Sequence, residues 1–363
     1  IMGAATMAIR PIGIIGRIFL ARLLTPSDFG AVALAMLFVG SSYLFVGLGM
    51  APAIIHSDVE RRKLAFHAFV ITTVSSVTIS LFALANSAWL AEILGDPEIE
   101  PILRVLLLNL VLNAWTLVPA ALLRKDLKFG AVAKSDLLSR ITYLIIALVL
   151  ALLGFGVWSL VISNVAQSLV ALVVIWWSSP NWDWLKPVPL DWAVFKGLLR
   201  YGSQTTASGV VRYFATNWDD WLVGRQLGTE SLGFYNKAYD FKNNTIRQFG
   251  TSVVGGVFFP AYAKINSNLQ RLQRAYLKSI QLVSTIMFPI SLGFLATASL
   301  LIPVVLGEKW APMIETFQVF SVLVLTRPIS ANASSVFRAV GKPRYNMFAA
   351  LLLSAVMVPI ALL

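Results

Sequence analysis

The sequence predicts an all-α, polytopic membrane protein, and three observations carry that prediction. Of its 363 residues, 58% are hydrophobic and only 13% are charged, against about 25% charged in a soluble domain. Mean hydropathy is +0.77, so the solvent for most of the chain is lipid. The apolar residues fall in runs of roughly 20, the length that crosses a bilayer as a helix. Finally, the loops between the runs alternate between basic and nearly free of basic residues.

Taken in order, the apolar runs lie near 4–24, 31–55, 65–91, 101–123, 131–153 and 157–177. After a polar stretch come 195–223, 232–260, 277–305, 312–337 and 345–363, which makes about eleven spans. The last run has no loop after it, so a further span and non-native chain ends are expected. One set of loops carries Arg61, Arg62, Lys63; Arg124, Lys125, Lys128; Lys186, Lys196; Lys264, Arg271, Arg274, Lys278; and Arg338, Lys342, Arg344. The opposite set carries only Arg22, Arg225 and Lys309, and one of its members is acidic (Glu92, Asp96, Glu98, Glu100). Basic loops stay cytoplasmic. The expected topology is therefore multi-pass in a bacterial inner membrane with the N-terminus inside.

The same alternation explains the net charge of +12 without nucleic acid, which is not expected as a partner. There is no cysteine, and His56 and His67 are the only histidines, so no metal site or cofactor is expected. No cleavable signal peptide is evident. Trp89, Trp158, Trp176, Trp177, Trp218, Trp221 and Trp310 sit near run ends, as an interfacial aromatic belt would. Trp115 lies inside a run.

The chain repeats itself. "ARLLTPSDFGAVALA" at 21–35 resembles "GRQLGTESLGFYNKA" at 224–238, an offset of 203 that pairs Arg22 with Arg225, Leu24 with Leu227 and Gly30 with Gly233. Residues 51–66 resemble 259–276, and 93–106 resemble 305–320. A repeat of six spans returns the chain to its starting side, so the halves share one orientation. The expected organisation is an N-terminal six-helix lobe over 1–180, a cytoplasmic linker over 181–196 and a C-terminal lobe over 197–363 that is incomplete.

Ionisable groups inside spans cost about 2.5–3.5 kcal/mol each on insertion scales and normally face a cavity or a partner. They gather in spans one, seven and eight. Span one holds Arg10 and Arg17, on one face. Span seven holds Ser208, Arg212, Thr216 and Asp219 on one face, with Asp220 beside it. Span eight holds Asn236, Asp240, Asn243 and Arg247 on one stripe and Lys237, Asn244 and Gln248 on the next, opposite Phe234, Ala238, Phe241 and Phe249. The reading is a shared, net-cationic cavity in which Arg10, Arg17, Arg212, Lys237, Lys242 and Arg247 take an anionic substrate. Ser208, Thr216, Asn236, Asn243 and Asn244 line it, and Asp219, Asp220 and Asp240 are candidates for ion coupling. The bland alternative is Arg–Asp bridges that stitch the lobes together. Tyr213, Tyr235 and Tyr239 offer ring faces and hydroxyls for sugars.

With these features in place, the chain resembles the Wzx-type polysaccharide flippases of the MOP superfamily, in the exopolysaccharide and colanic acid exporter branch. The stretches that carry the resemblance are "ARLLTPSDFG", "NWDDWLVGRQLGTESLGFYNKAYDF", "FFPAYAKIN" and "LGEKW". Asp220, Arg225 and Gly228 match that family's aspartate–glycine–arginine–glycine pattern at the end of span seven. The resemblance implies two facing six-helix lobes with spans one, two, seven and eight around a central cavity. It also implies an undecaprenyl-pyrophosphate-linked oligosaccharide as substrate, moved to the periplasmic leaflet for surface or exopolysaccharide synthesis. Membrane lipids are partners by necessity, and a polysaccharide polymerase and export machinery are the protein partners it implies.

Other classes fit less well. A membrane polymerase, ligase or glycosyltransferase needs a large outer loop, and none here is long; the chain is read as a non-enzyme. No GxxxxGK[ST] loop and no GxSxG elbow occurs. A cationic cavity would repel the cationic substrates of MATE-type exporters. A lipid II flippase differs least in its charge requirements.

Overall fold

The structure, a computed structural model, describes residues 2–57, 59–179, 182–246, 258–342, 344, 345 and 348; side chains are described from residue 13 onward, save 241–246 and 331. Among the described residues all regular structure is helical. The helices are α1 (Met2–Leu23), α2 (Pro26–Gly47), α3 (Met50–His56), α4 (Arg61–Ala85), α5 (Ser87–Leu94), α6 (Glu100–Leu106), α7 (Leu108–Lys125), α8 (Phe129–Leu152) and α9 (Val157–Ser178). They continue with α10 (Trp192–Ile246), α11 (Phe259–Ile265), α12 (Leu269–Leu306), α13 (Ile314–Val324) and α14 (Arg327–Ala339).

Among the described residues six stretches are long and apolar enough to cross a membrane: Pro26–His56, Arg61–Ala85, Pro97–Lys125, Phe129–Leu152, Val157–Ser178 and Leu269–Leu306. A seventh is the pair Glu308–Val324 and Arg327–Ala339, bent by 43°. Segment one of the sequence falls on α1. Segments seven and eight fall on α10, a 55-residue helix kinked at Gly228 (φ 81), whose polar residues keep it out of a purely compositional count. The eleventh, 345–363, lies almost wholly outside the described residues.

Local signals in the chain explain the helix ends. Thr25 caps α2 through a reciprocal box: the Asp28 N–H donates to Thr25 Oγ1 at 3.3 Å, and the Thr25 N–H donates to Asp28 Oδ2 at 2.8 Å. Pro26 follows at the first helical position, where its missing N–H costs nothing. The helix of span two is interrupted where Leu48 (φ 39) and Gly49 (φ 61) both enter the left-handed region, between α2 and α3. For a leucine that conformation costs about 1–2 kcal/mol.

By internal contacts the chain divides into two compact units, Ile1–Gly233 and Phe234–Leu363. In the first unit, small residues sit at the helix contacts: Ser42, Ser76, Ser80, Ser159, Ser163, Ala35, Ala114 and Ala147 are buried. Large apolar residues face outward instead, including Leu81, Phe82, Leu152 (70% exposed) and Trp177 (87% exposed). This distribution suits lipid, where close backbone approach and van der Waals packing hold helices together. Ser76 and Ser163 donate within their own helix, Ser163 Oγ to the Leu160 carbonyl at 2.9 Å, whereas Ser80 Oγ reaches the Leu107 carbonyl at 3.5 Å.

The polar stretch after α9 folds back on the same unit. Trp184 is buried among Phe69 and Trp176, with ring centroids at 5.5 and 6.0 Å. His67, 1% exposed, joins two elements through its two nitrogens. Nδ1 lies 2.7 Å from the Lys63 carbonyl, so it carries the proton and donates; Nε2 then accepts from the Asp191 N–H at 2.9 Å. Asp191 Oδ1 in turn accepts from the N–H groups of Ala193 and Val194, capping α10.

The second unit has its own polar knot: Tyr262 and Ser279 hydroxyls meet each other and the Asn332 side-chain oxygen, while Asn332 Nδ2 donates to the Pro328 carbonyl at 2.7 Å. All three side chains are buried. The knot ties α11, α12 and α14 together.

Candidate functional site

Helix α10 carries most of the candidate residues. On it Ser208, Arg212 and Thr216 are exposed and Asp219 and Asp220 half-buried. The hydroxyls are engaged locally: Ser208 Oγ donates to the Thr205 carbonyl at 2.9 Å, and Thr216 Oγ1 to the Arg212 carbonyl at 2.9 Å. Arg212 is left as an exposed guanidinium between Val211, Phe214 and Ala215 with no side-chain partner among the described residues. Arg17 on α1 is in the same condition, flanked by Ile14, Ile15 and Phe19, all exposed.

In the second unit, Lys237 is half-buried with Nζ 5.2 Å from the centre of the Trp310 ring, a cation–π contact strengthened by desolvation. Asn236 has a buried Nδ2 without a partner, and Asp240 is exposed. The side chains of Arg10, Lys242, Asn243 and Asn244, and Arg247 entirely, lie outside the described residues. Among the described ion pairs, Arg61–Asp126 at 2.6 Å, Arg104–Glu100 at 2.5 Å and Lys186–Asp183 at 2.6 Å sit at helix ends.

Three tyrosines read as sugar platforms have other occupations. Tyr213 donates its hydroxyl to the Leu37 carbonyl at 2.9 Å, across the face of Gly40. Tyr235 and Tyr239 stack on each other at 6.2 Å and edge against Phe320 at 5.3 and 5.8 Å. Trp115, odd within its run, offers its carbonyl to Trp176 Nε1 at 2.9 Å.

The motif at the end of span seven builds structure. Arg225 Nη1 donates to the Ile93 carbonyl at 2.5 Å, in the last turn of α5, where orphan carbonyls and the helix dipole favour a cation. Its guanidinium lies 5.6 Å from the Trp221 ring centre. Gly228 supplies the left-handed kink. Beside it the two repeat segments touch. A Cβ on Gly30 would lie 1.7 Å from the Thr229 carbonyl oxygen, and one on Gly233 would lie 1.9 Å from that of Pro26. At the 203-residue offset Gly30 corresponds to Gly233 and Pro26 to Thr229, so the contact is reciprocal, as at a local twofold axis.

One polar feature of the first unit was not found from the sequence. A groove of about 440 Å³ opens between α2, α7, α8 and α9, with Tyr43, Asn113, Arg124, Asp136, Gln167 and Ser168 among its lining residues. The available signal was the spacing of Asn109, Asn113 and Thr116 along one face of α7, inside a span that otherwise reads as plain apolar helix.

Residues 19–315 match the family described as "Polysaccharide biosynthesis protein". The chain belongs to this family. It is 27% identical over 316 residues to the "Succinoglycan biosynthesis transport protein ExoT" of Rhizobium meliloti, covering 87% of this chain and 63% of that one. It is 24% identical over 356 residues to the "Lipopolysaccharide biosynthesis protein WzxC" of Escherichia coli, covering 95% and 70%. This chain thus spans about two thirds of the length of these relatives.

Among solved structures, the inward closed lipid II flippase MurJ aligns with a TM-score of 0.78 at 15% identity, over 96% of this chain and 78% of that one. An inward-facing multidrug resistance MATE family transporter of the MOP superfamily aligns with a TM-score of 0.70 at 18% identity, over 95% and 85%. At such identities the likeness concerns the fold, which is that of the MOP transporters. The polysaccharide-family member is accordingly a multi-pass membrane protein with this fold, helical throughout its described regular structure.

Proposed function

We propose that this family member moves undecaprenyl-pyrophosphate-linked oligosaccharides from the cytoplasmic to the periplasmic leaflet of the bacterial inner membrane, supplying surface polysaccharide synthesis. The N-terminus is cytoplasmic in this reading, and a six-helix lobe over 1–180 works with an incomplete second lobe over 197–363 by alternating access. Arg10, Arg17, Arg212, Lys237, Lys242 and Arg247 take the pyrophosphate. The observation that carries the reading is the pair of exposed guanidiniums, Arg17 and Arg212, which have no side-chain partner among the described residues. A cation held there at a cost of about 2.5–3.5 kcal/mol needs an anion to justify it. A guanidinium binds phosphate oxygens two at a time, and more strongly where water is scarce. The names of ExoT and WzxC as polysaccharide transport and biosynthesis proteins support the same substrate class.

Lipid II flipping demands the same pyrophosphate chemistry and is the second reading, supported by the likeness to MurJ. A MATE-like exporter of cations is disfavoured by the sign of the charge. Asp219, Asp220 and Asp240 are the proposed carriers of a coupling proton or sodium ion.

The test is the triple variant Arg17→Ala, Arg212→Ala, Arg247→Ala in a strain dependent on this protein for polysaccharide export. Surface polysaccharide should drop by at least about tenfold at unchanged protein level, the expected cost of losing charge-assisted contacts worth about 1.5–3 kcal/mol each. Normal export by the triple variant would overturn the cationic-cavity reading. Rescue of a strain depleted of its lipid II flippase, in place of the polysaccharide strain, would favour the second reading.

A further inference from the structure

The groove between α2, α7, α8 and α9 is lined by side chains whose hydrogen-bonding capacity is only partly used. The two N–H groups of Asn113 Nδ2 are shared among three acceptors, the Asn109 carbonyl at 2.8 Å, the Tyr43 hydroxyl at 3.1 Å and Ser168 Oγ at 3.4 Å. Its own side-chain oxygen has no partner among the described residues, and neither do the Gln167 amide, the Arg124 guanidinium and the Asp136 carboxylate. Because Tyr43 and Ser168 accept from Asn113, their O–H hydrogens point elsewhere and are available. One turn above Asn113, buried Asn109 keeps a side-chain oxygen without a partner as well.

Tyr43, Gln167 and Ser168 are half-buried and Asn113, Arg124 and Asp136 exposed. Polar groups are costly to leave open within an apolar span, so the gathering of Tyr43, Asn113, Gln167 and Ser168 in one concavity points to a ligand. The chemistry of the set narrows its class. It consists mainly of neutral donors and acceptors, with one cation and one anion near the end at Arg124 and Asp136. A pyrophosphate would demand more cations, and a metal ion more carboxylates. A ring bearing several hydroxyls matches the mixture, since each hydroxyl both donates and accepts. The groove volume, about 440 Å³, falls within the usual range of small-molecule sites. From Asn113 to Arg124 the wall of α7 runs about 16 Å, at about 1.5 Å per residue, room for more than one sugar ring.

We propose that this groove is a carbohydrate subsite. It holds part of the oligosaccharide through Tyr43, Asn113, Gln167 and Ser168, with Arg124 and Asp136 reading the charged or outermost sugar. The proposal rests on the function put forward above, because it assigns a place to the glycan of the same substrate, apart from the residues assigned to its pyrophosphate.

Two probes separate the two ideas. Protein purified into nanodiscs is titrated with the oligosaccharide repeat unit of the host polysaccharide, released from its lipid by mild acid, and separately with undecaprenyl pyrophosphate bearing no sugar. Tyr43→Phe and Gln167→Ala should each weaken the oligosaccharide by about twofold to tenfold, and together by about tenfold or more, the scale of one and two lost neutral hydrogen bonds. Both should leave the sugar-free lipid within about twofold. Arg212→Ala should do the reverse. Tyr43→Phe removes a single oxygen, and an unchanged melting temperature shows that the variants are folded. If oligosaccharide binding survives both groove substitutions while the sugar-free lipid still depends on Arg212, the subsite is wrong and the transport reading stands. If the wild-type protein binds the oligosaccharide through the groove but ignores the pyrophosphate lipid, the groove stands and the headgroup assignment falls. Binding of neither probe overturns both.

Discussion

Substituting Gly30 by alanine tests the closest approach in the first unit. The added methyl would lie 1.7 Å from the Thr229 carbonyl oxygen, with the Thr229 carbonyl carbon at 2.6 Å and the Gly233 nitrogen at 3.0 Å. Optimal contact between heavy atoms is at about 3.5–4.0 Å, so α2 and the α10 backbone would have to part by close to 2 Å. All three obstructing atoms are backbone, so no rotamer change relieves the clash. Overpacking costs about 1–3 kcal/mol where side chains can adjust; here the upper end or more is expected. Gly233→Ala meets the Pro26 carbonyl oxygen at 1.9 Å and should cost about as much. The double variant should cost less than the sum, because the separation forced by the first methyl makes room for the second. Gly293→Ala is the control: it lies on an exposed helix face with nothing within 4 Å of its Cβ and should stabilise by about 0.5–1 kcal/mol through helix propensity. The assay is denaturant or thermal unfolding in detergent with yield at matched expression. Gly30→Ala melting with the wild type, or strict additivity of the two substitutions, would refute the reciprocal contact.

His67→Phe keeps the ring volume but removes the acceptor for the Asp191 N–H, and leaving that donor unpaired should cost about 1–3 kcal/mol. In a double-mutant cycle with Asp191→Ala, which removes the α10 cap, the two losses should overlap, and independent effects would show that the histidine does not act through the cap. The complete lack of cysteine makes topology directly measurable. Arg271→Cys should resist a membrane-impermeant maleimide in spheroplasts and react in inverted vesicles, and Lys309→Cys should do the opposite; the reverse pattern would place the N-terminus outside. Tyr262→Phe breaks the knot with Ser279 and Asn332 and should lower stability by about 1–3 kcal/mol through the buried polar groups it strands. Unfolding at the wild-type denaturant midpoint would show that the knot contributes nothing.

The helical membrane class and the family were readable from composition, run length and motif, because lipid imposes its rule on every residue of a span. The 203-residue register was readable too, and Gly30 facing Thr229 while Gly233 faces Pro26 is its spatial counterpart. Local capping was legible where a short-range signal exists, as at Thr25–Pro26–Ser27–Asp28. The break at Leu48 was not, since leucine has no preference for a left-handed turn and only the packed surroundings hold it there. The proposed site rests on a list of charges within apolar runs. Their partners were not legible: a sequence gives a helix face, while burial and reach are set by whichever helix lies opposite.

The sequence alone determined that this chain lives in a membrane, spans it many times, repeats itself and carries cations inside apolar runs. These are properties of single segments in a uniform solvent. Tertiary structure alone decided that half-buried Tyr213 bonds the Leu37 carbonyl, that Tyr235 and Tyr239 stack on each other, and that Arg225 caps a helix end. It also decided that Tyr43, Asn113 and Gln167, from three separate spans, share one groove. Such convergence depends on helix register and rotation, which arise from side-chain contacts between residues far apart in the chain.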